Sequence, residues 1–164
     1  MSEARIGFAR ESARSIIRRL RIIGPPVDVQ AIAKNEQLEV EVIASWPDQV
    51  SGLLLREARL IGVNGNHNRR RQRFSLAHEL GHWFMRHDFE WREASITMDR
   101  PPEDDTTPDN ADESEADEFA GELLVPLAFL KTAFRTNGDI AVLAELFDVS
   151  EEAMWVRVLR HRLI

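Results

Sequence analysis

The chain has 164 residues, of which 43% are hydrophobic and 30% charged, and its net charge at pH 7 is -7. These values favour a single globular domain, residues 1–164, and no apolar run approaches the roughly 18 residues of a membrane span. The chain has no cysteine, which excludes disulfides, thiol nucleophiles and thiolate metal ligands. The N-terminus lacks a signal-peptide pattern, so we expect a cytoplasmic location.

The first half of the chain predicts two helices followed by strands. Hydrophobic residues at helical spacing over residues 6–20 predict an amphipathic helix, which a Gly-Pro-Pro sequence then ends. Asp28 is the predicted N-cap of a second, short helix. Alternating apolar and acidic residues predict a strand at 38–43, and two further apolar runs predict strands at 52–56 and 59–63.

The second half is mostly helical by pattern. Helical spacing returns at 69–86, and further helices are predicted at about 112–125, 126–135, 139–147 and 150–164. Residues 99–111 are a predicted acidic loop because they contain three prolines and no apolar periodicity. We therefore expect an α+β fold in which a small, mostly antiparallel three-stranded sheet packs against helices. Residues 138–164 would form a helical C-terminal part of helix-turn-helix length.

The sequence HELGH, residues 78–82, is the strongest indication of chemistry. His78 and His82 are four residues apart, so on a helix they project side by side and can share one metal ion. Glu79 follows His78 and could reach a water on that ion, which is why this spacing is typical of two zinc ligands and a general base. Two histidines on an amphipathic helix can also be purely structural, so a third ligand is needed to decide.

Two places in the sequence offer that ligand. Asp88 lies ten residues after His78, but Met85 replaces the glycine that this type of zinc site requires. On the helix at 112–125, Glu113 and Asp117 flank the buried face, where an acid is costly unless it is paired or bound to metal. We predict that Glu113 is the third ligand and that Asp117 accepts the free N–H of a ligand histidine and fixes its tautomer. A salt-bridged acid at the helix start is the alternative for Glu113.

The segments QRFSLAHELGHWFMRH and ESEADEFAGELLVP resemble the two signature helices of the ImmA/IrrE family of metallopeptidases. The segments before and after them resemble that family's lead-in and helical tail. The resemblance implies a gluzincin-like fold, zinc bound by His78, His82 and Glu113, and water activation by Glu79. It also implies an endopeptidase that cleaves a helix-turn-helix transcriptional repressor in stress-response, mobile-element or defence regulation. Many relatives carry Asn at the position of Asp117, a change that preserves hydrogen bonding.

Other features give weaker predictions. His87 and His67 are candidates for stabilising the oxyanion or binding substrate, with plain surface histidines as the alternative. Residues 59–63 are a predicted edge strand that could pair with an extended peptide, or an ordinary structural strand. The acidic loop is either a lid or a solvated linker. The arginines at 69–73 are expected to balance the nearby acidic segment, where residues 88–124 carry fourteen acids and two bases.

Two other functions stay open at this point. A non-proteolytic module would bind the repressor without cleaving it. A DNA-binding regulator would use the C-terminal helices, whose second helix carries Arg157, Arg160 and Arg162. We expect instead that these helices pack into the core, because they share a broad apolar face comprising Leu143, Leu146, Phe147, Trp155, Val158 and Leu159.

Overall fold

The computed structural model describes residues 3–87, 95–98 and 108–164. Within these ranges, four strands and seven helices follow one another in the order that the sequence patterns predict, apart from one additional strand. The strands are β1 (Glu39–Ile43), β2 (Val50–Leu55), β3 (Leu60–Asn64) and β4 (Ser95–Met98). The helices are α1 (Ile6–Arg19), α2 (Val29–Asn35), α3 (Arg69–Met85), α4 (Pro108–Leu124), α5 (Leu127–Thr136), α6 (Ile140–Phe147) and α7 (Glu151–Arg160).

The sheet confirms the α+β class but corrects its details. It has four strands in the order β1-β3-β2-β4, and it is mixed because β1 pairs in parallel with β3. The other two pairings, of β2 with β3 and with β4, are antiparallel. The prediction missed β4 because four residues are too few to show an alternating pattern. The predicted edge strand at 59–63 is wrong: β3 lies inside the sheet, and β4 forms the edge beside β2.

Helix α4 starts at Pro108, four residues before the predicted helix start at 112 and within the predicted acidic loop. Pro108 stands at its first position, where a proline is well tolerated because the first turn leaves its N–H groups without helical partners. The rest of the predicted loop, residues 99–107, lies outside the described residues, so the lid and linker alternatives are not distinguished.

Helices α3 and α4 pack very closely. A Cβ added at Gly81 would lie 3.0 Å from the Cα atom of Ala116 and 3.1 Å from its carbonyl oxygen. Phe119, which is fully buried on the same apolar face of α4, lies 3.2 Å from that point. The glycine of HELGH therefore sets the distance between these helices, and so the distance between their side chains.

A helical wheel of residues 112–125 places Glu115, Glu118 and Glu122 opposite the apolar face and so predicts that they face solvent. The structure shows that this side of α4 is not exposed. Glu115, Glu118 and Glu122 are 1–2% exposed. They form ion pairs with arginines of α1 and its N-cap, in the combinations Arg5–Glu115, Arg10–Glu118 and Arg14–Glu122. We call this the arginine ladder. The wheel failed because α4 is covered on both sides, and arginine is the partner that makes a buried carboxylate tolerable.

Helix α7 is fixed to the same side of α4. Arg157 is 3% exposed and pairs with Glu118 and Glu122, while Arg160 also pairs with Glu118. Arg157 is thus engaged within the protein, and Arg160, whose side chain is 48% exposed, shares its charge with Glu118. Both pairings argue against DNA reading by α7. Of the predicted core residues, Leu143, Phe147 and Val158 are buried, whereas Leu146, Trp155 and Leu159 are 44–60% exposed.

The arginines at the start of α3 have a partner outside the acidic segment 88–124. Arg69, Arg70 and Arg73 all pair with Asp148, which follows α6, while much of the acidic segment that was expected to balance them lies outside the described residues. They tie the start of α3 to the C-terminal helices. Among the helices of the described residues, none has the length and hydropathy to cross a bilayer.

Candidate metal centre

The two histidines of HELGH meet on one side of α3. His78 and His82 are 3% and 0% exposed, and their Nε2 atoms lie 3.0 Å apart. This arrangement follows from the helix itself, because side chains four residues apart lie one above the other. Two buried imidazole nitrogens therefore face a common point.

Glu113 of α4 completes this cluster. Its Oε2 atom lies 3.0 Å from Nε2 of His78, and its Oε1 atom lies 3.2 Å from Nε2 of His82. A tetrahedral zinc ion with bonds of about 2.0–2.2 Å needs donor atoms about 3.3 Å apart, so the observed spacings agree to a few tenths of an ångström. The donor set, two imidazoles and one carboxylate, also suits zinc. The residues fit a metal ion with three protein ligands and an open position.

The remaining ring nitrogens of both histidines have protein partners. Nδ1 of His78 lies 2.8 Å from Oδ1 of Asp117, the residue predicted to fix the tautomer of a ligand histidine. Nδ1 of His82 lies 2.8 Å from Nδ1 of His87. When each Nδ1 carries the proton and donates it to its partner, each Nε2 presents a lone pair to the common point.

Burial and mutual hydrogen bonds shift the pKa values of all three residues in this cluster. Burial alone would lower the pKa of His78, but hydrogen bonds to Asp117 and Glu113 raise it well above its usual value. Burial dominates at His82 and lowers its pKa to about 4. Burial opposes ionisation of Glu113, yet hydrogen bonds from both histidines bring its pKa well below the usual range. A metal cation must displace the proton on His78, so acid competes with metal.

Glu79 lies between α3 and the sheet. The residue is 0% exposed, and a Cβ added at Gly52 of β2 would come within 2.6 Å of its Oε1 atom. The absence of a side chain at Gly52 therefore makes room for this carboxylate. Gly52 was not among the predicted site residues, because a single glycine in a predicted strand indicates only that some other group approaches closely.

His87 does not have the role that the sequence suggested. It is 3% exposed, and its Nε2 atom lies 2.9 Å from Oε2 of Glu115 while its Nδ1 faces His82. Both ring nitrogens are thus engaged inside the protein, and neither is available to stabilise an oxyanion. Arg86 brings His87 into this position, because it ends α3 in the left-handed conformation with φ 52° and turns the chain back.

His67 lies away from the candidate metal centre, contrary to its predicted role. It precedes α3, and the nine helical steps from Arg69 to His78 span about 14 Å along the axis. Its Nε2 atom lies 2.9 Å from the carbonyl oxygen of Asp48, on the connection between β1 and β2. His67 therefore belongs to the packing of the sheet. Asp88, the other third-ligand candidate, lies outside the described residues.

The fold and this cluster together define a class of small α+β metallopeptidase-like domains. The profile of the Peptidase_M78 family, described as the IrrE N-terminal-like domain, matches residues 35–159, and the chain belongs to this family. The resemblance of the two signature helices is thereby confirmed. The family is a metallopeptidase family, which implies a metal at such a centre.

A solved structure shares the fold. A protein named Mycobacterium tuberculosis transcriptional regulator superposes with a TM-score of 0.63 at 17% identity. The superposition covers 92% of this chain but 46% of the other, so this chain spans about half the length of that protein. No curated protein matches the chain.

Proposed function

We propose that the protein is a zinc-dependent endopeptidase that hydrolyses a peptide bond in a protein partner. The observation that carries the proposal is the convergence of His78, His82 and Glu113 from two helices, with Glu79 beside them on α3. Membership of a metallopeptidase family supports it independently. We propose that His78, His82 and Glu113 are the ligands and that the ion is zinc.

The chemistry divides between the ion and the chain. His78, His82 and Glu113 would hold the zinc ion, which would supply Lewis acidity toward the scissile carbonyl and toward water. Glu79 takes a proton from the attacking water and delivers it to the leaving amine as the C–N bond breaks. Asp117 keeps the proton of His78 on Nδ1. The close approach of Gly52 confines the Glu79 carboxylate against β2.

An extended substrate would align along β4, which is an edge strand of the sheet that the described residues form. Thr97 of β4 pairs with Gly52 of β2, and Gly52 lies against Glu79. A peptide that adds to this edge would thus be separated by β4 from Gly52, the residue that packs against Glu79. This edge replaces β3, the strand that the sequence suggested for this role.

We further propose that the substrate is a helix-turn-helix transcriptional repressor in the cytoplasm and that the chain acts as one domain. The family resemblance supports this substrate class. The engagement of Arg157 and Arg160 in ion pairs argues against direct DNA reading by the protein itself.

The test is to incubate the purified protein with a repressor encoded beside its gene, with and without a chelator. Cleavage that requires zinc and is lost in the Glu79→Gln variant supports the proposal. A Glu79→Gln variant that still binds the repressor and relieves repression, when the wild type does not cleave it, would establish the non-proteolytic module instead. Salt-dependent binding to operator DNA, lost in an Arg157→Ala and Arg160→Ala double variant, would favour the DNA-binding alternative.

A further inference from the structure

We infer that His87 and Glu115, held by Arg5, position His82 for metal binding. A continuous chain of polar contacts runs from the candidate metal centre to the start of α1. Nδ1 of His82 lies 2.8 Å from Nδ1 of His87, and Nε2 of His87 lies 2.9 Å from Oε2 of Glu115. The same Oε2 lies 2.9 Å from the guanidinium of Arg5. This inference rests on the proposed metal site.

The direction of each hydrogen bond follows from the requirement at the metal. A metal on Nε2 of His82 needs a lone pair there, so the ring proton must sit on Nδ1. Nδ1 of His87 faces that proton and must accept it, which leaves the proton of His87 on Nε2. Glu115, as a carboxylate, is the matching acceptor for that proton. The arrangement is self-consistent from the metal to the acid.

Arg5 orients the carboxylate of Glu115. Its Nε and backbone N donate to Oε1 of Glu115 at 3.1 Å and 2.7 Å. An acid held by two donors on one oxygen cannot rotate freely, so its other oxygen stays aimed at both Arg5 and His87. The orientation of His82 is thereby fixed from outside its own helix.

A second metal ion is the competing explanation for this cluster, because His87, Asp112 and Glu115 also bring three ligand atoms together. The guanidinium of Arg5, in contact with both oxygens of Glu115, argues against it, since a second cation would be repelled there. The hydrogen-bonded chain needs no ion. One zinc per protein is therefore expected, and a stoichiometry of two would overturn the inference.

The inference extends the site beyond the family profile. The profile begins at residue 35, whereas Arg5 immediately precedes α1, whose bounds are Ile6–Arg19. The start of α1 thus completes the support of a ligand histidine, and docking of α1 should be coupled to metal affinity.

Two substitutions of His87 separate its roles at the two ring nitrogens. In His87→Asn the amide oxygen can replace the Nδ1 acceptor, whereas in His87→Gln the amide nitrogen can replace the Nε2 donor. We expect the zinc affinity, measured by competition with a chromogenic chelator, to fall about 10- to 100-fold in His87→Gln, which loses the acceptor that faces His82. It should fall only several-fold in His87→Asn, which keeps that acceptor but loses the donor to Glu115. Equal affinity of wild type, Asn and Gln variants would overturn the inference, as would equal losses in both variants.

Nuclear magnetic resonance reads the tautomers directly. In the zinc-loaded wild type, the ring nitrogens of His87 should show a proton on Nε2 and none on Nδ1. A proton on Nδ1 of His87 would contradict the chain of bonds even if the variants lose affinity through general loosening. Wild type that fails to bind zinc at all would instead refute the proposed metal site, so the two failures are distinguishable.

The arginine ladder offers a matched control for the α1 contact. Arg5→Ala and Arg10→Ala each remove one ion pair between the α1 region and α4, but only Arg5 contacts Glu115. We expect zinc affinity to fall several-fold in Arg5→Ala and to stay at the wild-type value in Arg10→Ala. Cobalt(II) absorption spectra, which depend on the ligand geometry, should likewise change in Arg5→Ala and not in Arg10→Ala. Equal zinc affinities in the two variants would show that α1 does not act on the site.

Discussion

The two sides of α4 place acids against different partners. On one side Glu113 faces the imidazoles of His78 and His82, and on the other Glu118 faces three arginines. Arginine is always charged, so its pairs are permanent and structural. Histidine can give up its proton and offer a lone pair, so the same kind of carboxylate becomes part of a metal site. Whether a carboxylate of α4 has a functional or a structural role therefore depends on its partner rather than on its burial.

Exchanging the acids for glutamine should separate the two sides most clearly. Glu113→Gln should lower zinc affinity more than 100-fold, since a ligand counts for more than the groups that orient ligands. Glu118→Gln should leave zinc affinity unchanged and lower the free energy of unfolding by about 3 kcal/mol, because Arg157 is left buried without its full counter-charge. Zinc titration and denaturant unfolding of both variants measure the two effects. Loss of zinc binding in a folded Glu118→Gln variant would contradict this separation.

The next largest effect concerns Glu79, the acid on α3 that lies against β2. In Gly52→Ala the new methyl group must displace the end of the Glu79 side chain, which moves without disturbing the backbone. We expect peptide hydrolysis to fall about 100-fold, because a misplaced catalytic group costs about that much. Zinc affinity and the unfolding midpoint should stay near wild type. A variant with full activity would show that the close approach of Gly52 does not hold the carboxylate in place.

The spacing of α3 and α4 should respond to Gly81→Ala. The added methyl group meets the backbone of Ala116, so the helices must separate, at a cost of about 1–3 kcal/mol. Zinc affinity should fall as well, because Glu113 moves away with α4. Gly7→Ala is the matched control: nothing lies within 4 Å of its added Cβ, and the change should stabilise α1 by about 0.5–1 kcal/mol. Thermal unfolding with and without zinc distinguishes the two variants.

The smallest effect is the pH dependence of the arginine ladder. The pKa of Glu115 is lowered to about 2 in the folded protein, so its contribution to stability is complete above the unfolded value near 4.5. That contribution is lost as the pH falls from about 4.5 toward 2. The stability advantage of wild type over Glu115→Gln, on the order of 1 kcal/mol at neutral pH after solvent screening, should shrink over this range. A constant difference in unfolding free energy between pH 6 and pH 3 would contradict the assignment.

Local patterns carried most of the secondary structure. The Asp28 cap of α2 and the two signature helices were readable because caps and helical periodicity depend on neighbours within a few residues. The proximity of Glu113 to the HELGH histidines followed from the wheel of α4 and from the cost of burying an acid without a partner. The sequence predicted neither the short strand β4 nor the interior position of β3, because strand order depends on long-range pairing.

The sequence by itself determined the elements that can hold a metal: two histidines one turn apart, a neighbouring glutamate, and a flanking acid on a later helix. Tertiary structure alone decided that Glu115, Glu118 and Glu122 are buried and that His87 points inward. It also decided that Gly52 makes room for Glu79 and that Arg5 reaches the far side of the site. The physical reason is that a helical wheel orders side chains around one axis, whereas burial and pairing depend on which other elements cover each side.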